Sequence, residues 1–443
     1  MASPPHRPAA PATTQPGRVV IAGVGLVTPL GVGAWASFAS LLAGRRITDR
    51  IAQLEPDTDA VPLVQAVGGV SVARHTATDP AVELAERAAR EAVGEAGTSL
   101  NRLPTWLGTS KGAVGKWGEA AARRQLPHAP ALTVDHALAG ALGPHGYLTH
   151  HLQLRTGLQP RGHCVAACAS GLTALHHARM ALQHDSFVKS FLPATAGNAD
   201  PEQGDEALVL TAEAALLPPF IHSYRRLGVL APLTLEGYRG RPLAADRGGF
   251  VLAEVGAAVL LRRLPPGQAP TPGQVELLDT ALATEAEDLI RPSAEMAALS
   301  RVAGRLIGDR PIGALHPHAP GTAEHDPREL AILAQALQRQ PNSTPGPAPA
   351  VYAHKGALGH TLGSAGLVSL VLACLSARTG QLPPMPWLND ASTTPPAGPG
   401  HVDTPLPVSA RPALDPDRRH AAHVILAAGF AGHVAGAAIA PVA

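Results

Sequence analysis

The chain has 443 residues and sets 35 Lys and Arg against 34 Asp and Glu, a formal net charge of +1. With no long run of one sign, neither a nucleic-acid surface nor a basic membrane-binding face is indicated. Hydrophobic residues at 45% suffice for a large core, and aromatics at 3% argue against stacking platforms.

In chain order, the first 17 residues, MASPPHRPAAPATTQPG, hold five prolines and no apolar stretch of signal-peptide type, so a disordered tail is expected there. RVVIAGVGLVTPLG then opens with a strand. Its GVGLVT lacks the third glycine of a dinucleotide loop and runs on into Thr28-Pro29, which disfavours a phosphate cradle. VELAERAAREAVGEAG reads as a helix ended by Gly97. In CVAACASGLTALHHARMAL a tight Ala-Cys-Ala-Ser-Gly run halts an apolar stretch, and Leu172, Leu175, Ala178 and Leu182 follow at helical spacing. FVLAEVGAAVLLRR reads as a buried strand or strand pair. PIGALHPHA and PAVYAHK look like short strands that empty into a histidine or lysine. The segment Ala365 to Ala377 is apolar but shorter than the roughly 18 residues a membrane span needs, so no span is expected. PNSTPGPAPA (341–350) and TTPPAGPG (393–400) read as surface loops. Alternating strands and helices imply an α/β architecture with ligands at the carboxyl ends of strands.

Only three cysteines occur, at 164, 168 and 374. So sparse and odd a count argues against a disulfide framework and suits a reducing, cytoplasmic compartment. Cys374 lies in LVSLVLACLSA and reads as packing. Cys168 has two readings. It is a small core hydrophobe, or it is a nucleophile whose place at a helix start favours a thiolate, with Ala, Ser and Gly neighbours leaving room for a substrate.

Three further stretches put polar or aromatic groups where strands should end. They are HPHAPGTAEHDPREL with His318, HKGALGHTLGSAG with Lys355 and His360, and AAGFAGHVAG with Phe430. Each has a plain alternative. With 21 histidines most will be solvated, Lys355 could be an exposed lysine, and Phe430 could be core. His316, His318 and His325 could gather on a metal, but no companion ligand spacing supports it. Asp326-Pro327-Arg328-Glu329 is explained as a helix start in which Asp caps and Glu reaches back.

Taken in order, these stretches resemble the elongating β-ketoacyl-acyl-carrier-protein synthases of the thiolase superfamily, over almost the whole chain after the tail. AACASG matches that family's nucleophile elbow, HAPGT with Asp326 and Glu329 its first histidine motif, KGALGHTLGSAG its Lys-x-x-x-Gly-His motif, and GFAG its terminal Gly-Phe-Gly-Gly. RVVIAGVGLVTPLG, WLGTSKG, RPLAADRGGFVLAEVGA and LPPMPWLND are similar to other stretches of it. The resemblance implies a thiolase-like fold of two similar halves in α-β-α-β-α layers, spanning 18–260 with the cysteine and 261–443 with the two histidines.

By the same resemblance, Cys168 takes an acyl chain from a thioester, and the backbone N–H groups of Cys168 and Phe430 form an oxyanion hole. Phe430 would also gate the acyl pocket. His318 and His360 donate to the carbonyl of a malonyl group as it loses carbon dioxide, and Lys355, paired with Glu329, orients them. No metal or organic cofactor is implied. The acyl carrier protein is the implied partner, with a homodimer or a heterodimer with a related synthase. Several residues depart from the family pattern: Ala319-Pro320 after the first histidine, His433-Val434 after GFAG, and Ala253, Val255 and Ala257 where glycines are common. The alternatives are a specialised condensing enzyme with an unusual starter, or a silent or chain-length-controlling partner subunit, which commonly lacks the cysteine kept here.

Overall fold

The computed structural model describes residues 17–47, 78–125, 133–183, 204–234, 237–238, 240–285, 287–288, 293, 295–340, 347–388 and 406–443. The expected tail, save its last residue, and most of both Pro-rich loops lie outside them.

Ten strands build the site's scaffold. They are β1 (Val19–Thr28), β2 (Pro104–Gly108), β3 (Gln159–Cys164), β4 (Glu206–Glu213), β5 (Val255–Arg263), β6 (Val275–Thr284), β7 (Ile312–His316), β8 (Ala350–Val351), β9 (Ala422–Ala428) and β10 (His433–Pro441). From one edge the first five run in the order β3-β2-β4-β5-β1, and from the other edge the second five run β8-β7-β9-β10-β6. Hydrogen-bonding sense repeats as well. The three outer strands of each set are parallel and the two inner ones antiparallel. The chain is thus two copies of one topology, joined where β1 meets β6 at Val20 opposite Glu276 and Ile21 opposite Val275. Strand β5 runs to Arg263 and completes the first set, and residues 264–274 lead from it to β6.

The helices repeat in the same way. Named in chain order they are α1 (Ala34–Leu42), α2 (Pro80–Ala96), α3 (Val114–Gln125), α4 (Val134–Thr156), α5 (Ser170–Gln183), α6 (Pro218–Arg226), α7 (Ala297–Ile307), α8 (His325–Gln338), α9 (Lys355–Leu358) and α10 (Ala365–Thr379). Helices α2 and α4 pack on the outer face of the first set, and α7 and α8 on that of the second. Helices α5 and α10 lie in the central core between the sheets. Strand alternation makes this possible: in β4, Ala207 and Val209 face the central core while Leu208, Leu210 and Ala212 face the outer one. This is the layered α-β-α-β-α arrangement.

Local chemistry sets the helix ends. Asp79 accepts the N–H of Ala81, Pro80 occupies the first turn, and Gly97 closes α2 in the left-handed conformation. The GVG of β1 is a packing device. A Cβ at Gly23 or Gly25 would lie 2.0 or 1.9 Å from carbonyl oxygens of α2, so only glycine lets that helix settle on the strand. Residues Leu362 to Thr379 are long and apolar enough to cross a membrane by length and composition, but 89% of that stretch is buried in the fold. Each fully buried Leu or Val there contributes about 1.5–3 kcal/mol, which explains a helix that is apolar on every side.

Candidate active site

The site forms where the carboxyl ends of the strands from both halves meet. After β3 a single turn, Ala167–Ala169, carries Cys168 into α5, and Ala167 adopts φ +47°. Such a non-glycine residue is strained, and strain of this kind marks functional turns. Ser170 holds the turn: its Oγ accepts from the N–H of Ala166 at 2.9 Å and donates to the carbonyl of Ala167 at 2.7 Å. After β8 the second half builds the same device. The turn Leu362–Ser364 leads into α10, with Leu362 also at φ +47° and His360 two residues before it.

Cys168, His318 and His360 bring one ligating atom each to within 4.8 Å of one another, and all three are buried. Their rings and thiol line a cavity of about 360 Å³ together with Phe250, His325 and Phe430. The His318 and His360 rings lie 5.4 Å apart, edge to face. His360 accepts the N–H of Leu362 on Nδ1 at 3.0 Å, which leaves its proton on Nε2 as a donor. Burial holds both imidazoles well below the ordinary histidine value, and the Lys355 ammonium adds to this. Both are therefore neutral near pH 7.

The cysteine at rest differs from expectation. Burial pushes its thiol up to about 12, with Lys355 pulling the other way, so the helix start does not hold a thiolate. Cys168 rests as a thiol.

The loop carrying His318 is held from α8, and the helix-capping reading of Asp326 and Glu329 is corrected. Helix α8 starts at His325 without a side-chain cap. Glu329, fully buried, accepts the N–H of His318 on Oε1 at 2.7 Å and that of Ala319 on Oε2 at 2.8 Å. Asp326 accepts the N–H groups of Leu243 and Gly321. Lys355 makes no direct ion pair with Glu329. Its ammonium donates to the carbonyl of His318, and it feels Glu329 through the field, while burial lowers it to about 8. Lysine and glutamate thus grip the two ends of the same residue.

Phe430 stacks on Tyr224 with ring centres 6.4 Å apart, and Gly429 presses on the cysteine turn. A Cβ at Gly429 would lie 2.8 Å from the Ala166 carbonyl and 2.9 Å from the Cys168 nitrogen. The two turns whose N–H groups were expected to form the oxyanion hole are therefore in contact.

The possible metal trio is not formed, because His316 instead faces His423, Nε2 to Nδ1 at 3.3 Å. By donor type, Cys168, His318 and His360 are the described residues that could hold an ion. Sequence reasoning missed Tyr224, Phe250 and Glu213, although Glu213, an acid at the end of the apolar stretch ALVLTA, was a visible signal.

Two family models match the sequence: the N-terminal domain of β-ketoacyl synthase over residues 17–187 and its C-terminal domain over 291–389. A 3-oxoacyl-[acyl-carrier-protein] synthase 2 of Mycobacterium leprae is 26% identical, covering 94% of each chain. A Streptomyces halstedii protein named for polyketide β-ketoacyl synthase activity is 27% identical over 83% of this chain and 87% of its own. Among solved structures, a chain from a complex of a type II polyketide acyl-carrier protein with its hexaketide-bound ketosynthase superimposes with a TM-score of 0.73 at 19% identity, covering 97% of this chain and all of that one. The module 6 ketosynthase of the Bacillus subtilis bacillaene synthase gives a TM-score of 0.67 at 19% identity, covering 96% and 72%.

Proposed function

We propose that this chain, which belongs to the β-ketoacyl synthase family, lengthens an acyl thioester by decarboxylative Claisen condensation with a malonyl group on acyl-carrier protein, in fatty-acid or polyketide-type synthesis. The observation that carries the reading is the convergence of Cys168, His318 and His360, from three separate segments, within 4.8 Å in one buried cavity.

The Cys168 sulfur attacks the acyl carbonyl. The carrier thiolate leaves and takes up the thiol proton, and the acyl group stays on Cys168. The turns bearing Cys168 and Phe430 supply N–H donors to the tetrahedral oxyanion. A malonyl thioester then enters the emptied site. Its C–C bond to the carboxylate breaks, carbon dioxide departs, and the electron pair forms an enolate whose oxygen takes hydrogen bonds from His318 and His360. The enolate carbon attacks the acyl carbonyl on Cys168, and the thiolate leaves. One proton is then taken up to restore the thiol, which burial strongly favours. Lys355 and Glu329 act as positioning residues on the His318 backbone. The leaving carboxylate supplies the driving force, so this sequence of steps calls on no cofactor.

Acyl-carrier protein is the proposed partner, delivering both thioesters on its phosphopantetheine arm. A homodimer, or a heterodimer with a related synthase, is proposed across the edge strand β3, which leads directly into the cysteine turn. The buried, unpaired state of all three cysteines agrees with a cytoplasmic setting. The silent-subunit alternative is not favoured, because the nucleophile and both histidines are present and assembled. The test is transfer of a radiolabelled acyl group from carrier protein to the purified protein, followed by malonyl-dependent release of a product two carbons longer.

A further inference from the structure

Glu213 closes β4 and is almost fully buried, yet the condensation scheme gives it no part. Its Oε1 accepts the N–H of Ser110 and the hydroxyl of Thr109, the latter at 3.1 Å. Its Oε2 is buried with no partner. On its other side lies the turn that follows His360: a Cβ on Gly363 would sit 2.6 Å from Oε1 and 2.6 Å from the Ser110 nitrogen.

The internal repeat gives this position its meaning. In the first half, the cysteine turn is pressed by Gly429, just past the end of β9. In the second half, the matching turn at Gly363 is pressed by Glu213, at the end of β4. Where one half leaves bare backbone against the nucleophile, the other places a carboxylate against the histidine turn. A structural clamp needs only an acceptor at Oε1. A second oxygen without a partner in a buried place is costly, and a neutral amide would avoid the cost of a charge there.

We propose that Glu213 is a positioning residue of the condensing site: Oε1 fixes the turn that carries His360 against the loop Thr109–Lys111, and proton gain or loss on the carboxyl sets the charge that Cys168 feels. This rests on Cys168 being the nucleophile. The charged and titratable groups that face Glu213 are Lys111 on its own loop, Cys168 on the neighbouring turn and Tyr224 on α6, and His145 lies with Nε2 3.3 Å from the Thr109 carbonyl. Burial pushes the Glu213 carboxyl up to about 7 against the pull of Lys111. Ionised Glu213 raises the Cys168 thiol further. Below neutrality the acid is uncharged and spares the thiol. Above neutrality it opposes thiolate formation.

Alkylation of Cys168 by iodoacetamide, located by peptide mass and followed from pH 5.5 to 9, tests this without any acyl substrate. The wild-type rate should bend near neutrality. Glu213→Gln should lack the bend, match wild type below about pH 6 and react about three- to tenfold faster at pH 8, as a shift of up to one unit in the thiol requires. Superimposable profiles would overturn the electrostatic role. If Glu213→Gln does not fold, Lys111→Met answers instead: removing the opposing charge should move the bend to higher pH, and an unmoved bend overturns the proposal. For the clamp, Glu213→Ala should lose malonyl decarboxylation at every pH while Glu213→Gln keeps it at pH 6. Equal activity of all three proteins would refute that part. Since alkylation needs no condensation, a failure here leaves the proposed reaction standing, and a failure of condensation leaves this test readable.

Discussion

Glu329 grips the backbone of His318: one carboxylate oxygen takes the N–H of His318 at 2.7 Å, and the other takes that of Ala319 at 2.8 Å. With Lys355 donating to the His318 carbonyl, the imidazole hangs from a residue fixed at both ends. Ala319 accepts φ +36° as part of this arrangement.

Removing that grip should uncouple folding from chemistry only partly. Glu329→Ala leaves two buried N–H groups without acceptors, at about 1–3 kcal/mol each, and leaves the buried Lys355 charge less compensated. Thermal unfolding should fall accordingly, and malonyl decarboxylation should be lost before acyl transfer is. A variant as stable and active as wild type would show that the carboxylate does not hold the loop.

The histidines divide the reaction from the cysteine. His318→Ala and His360→Ala should retain some self-acylation but release carbon dioxide about 10²–10³-fold more slowly, the usual cost of one oxyanion-type donor. Wild-type carbon dioxide release from both variants would refute the assigned roles.

Acid should destabilise the fold steeply. His316, His318, His354, His360 and His423 are all held by burial below the ordinary histidine value. The unfolded chain binds these protons first, near pH 6.5, so the stability is present above that pH and is lost as pH falls below it. Each such proton contributes about 1.4 kcal/mol per pH unit. Denaturant titrations between pH 7 and 5 should show stability falling faster than one proton accounts for. A flat profile would mean that these imidazoles are protonated in the fold.

Much of this was legible in the sequence, and the exceptions share a cause. The β1 strand, the helix ended by Gly97 and the helix after Cys168 followed from periodicity and turn signals, and Cys168, His318 and His360, which the fold brings together, were singled out by the resemblance of motifs taken in order. Asp326 and Glu329 were misread as helix caps because their spacing suits a capping box. Their actual partners include Leu243, 83 residues away, and such recruitment leaves no local trace. The resting thiol was misjudged for a related reason: a helix start is visible in sequence, but the burial that outweighs it is a property of the assembled halves. Pairing of Lys355 with Glu329 was right in field and wrong in contact, since the lysine reaches a carbonyl instead.

The loop beyond Phe430 carries a departure that the geometry makes testable. Ala431 sits at φ +60° where the resemblance leads one to expect glycine, a conformation that costs an alanine about 1–2 kcal/mol. Ala431→Gly should raise stability by about 1 kcal/mol and loosen the turn that carries Phe430 on Tyr224. Acylation by long chains should then gain on acylation by short ones. A starter series unchanged by the substitution, in a wild type that already prefers long chains, would show that the strained turn at Ala431 does not limit the acyl chain.

The central claim is that Cys168 is the acylated nucleophile. The most direct measurement is the mass of the intact protein and of its peptides after incubation with acyl-carrier protein loaded with a short acyl chain. The account predicts one acyl adduct on the peptide containing Cys168, discharged on addition of malonyl carrier protein and absent from a folded Cys168→Ala variant. An adduct that persists in Cys168→Ala, or that maps to Cys164, would contradict it.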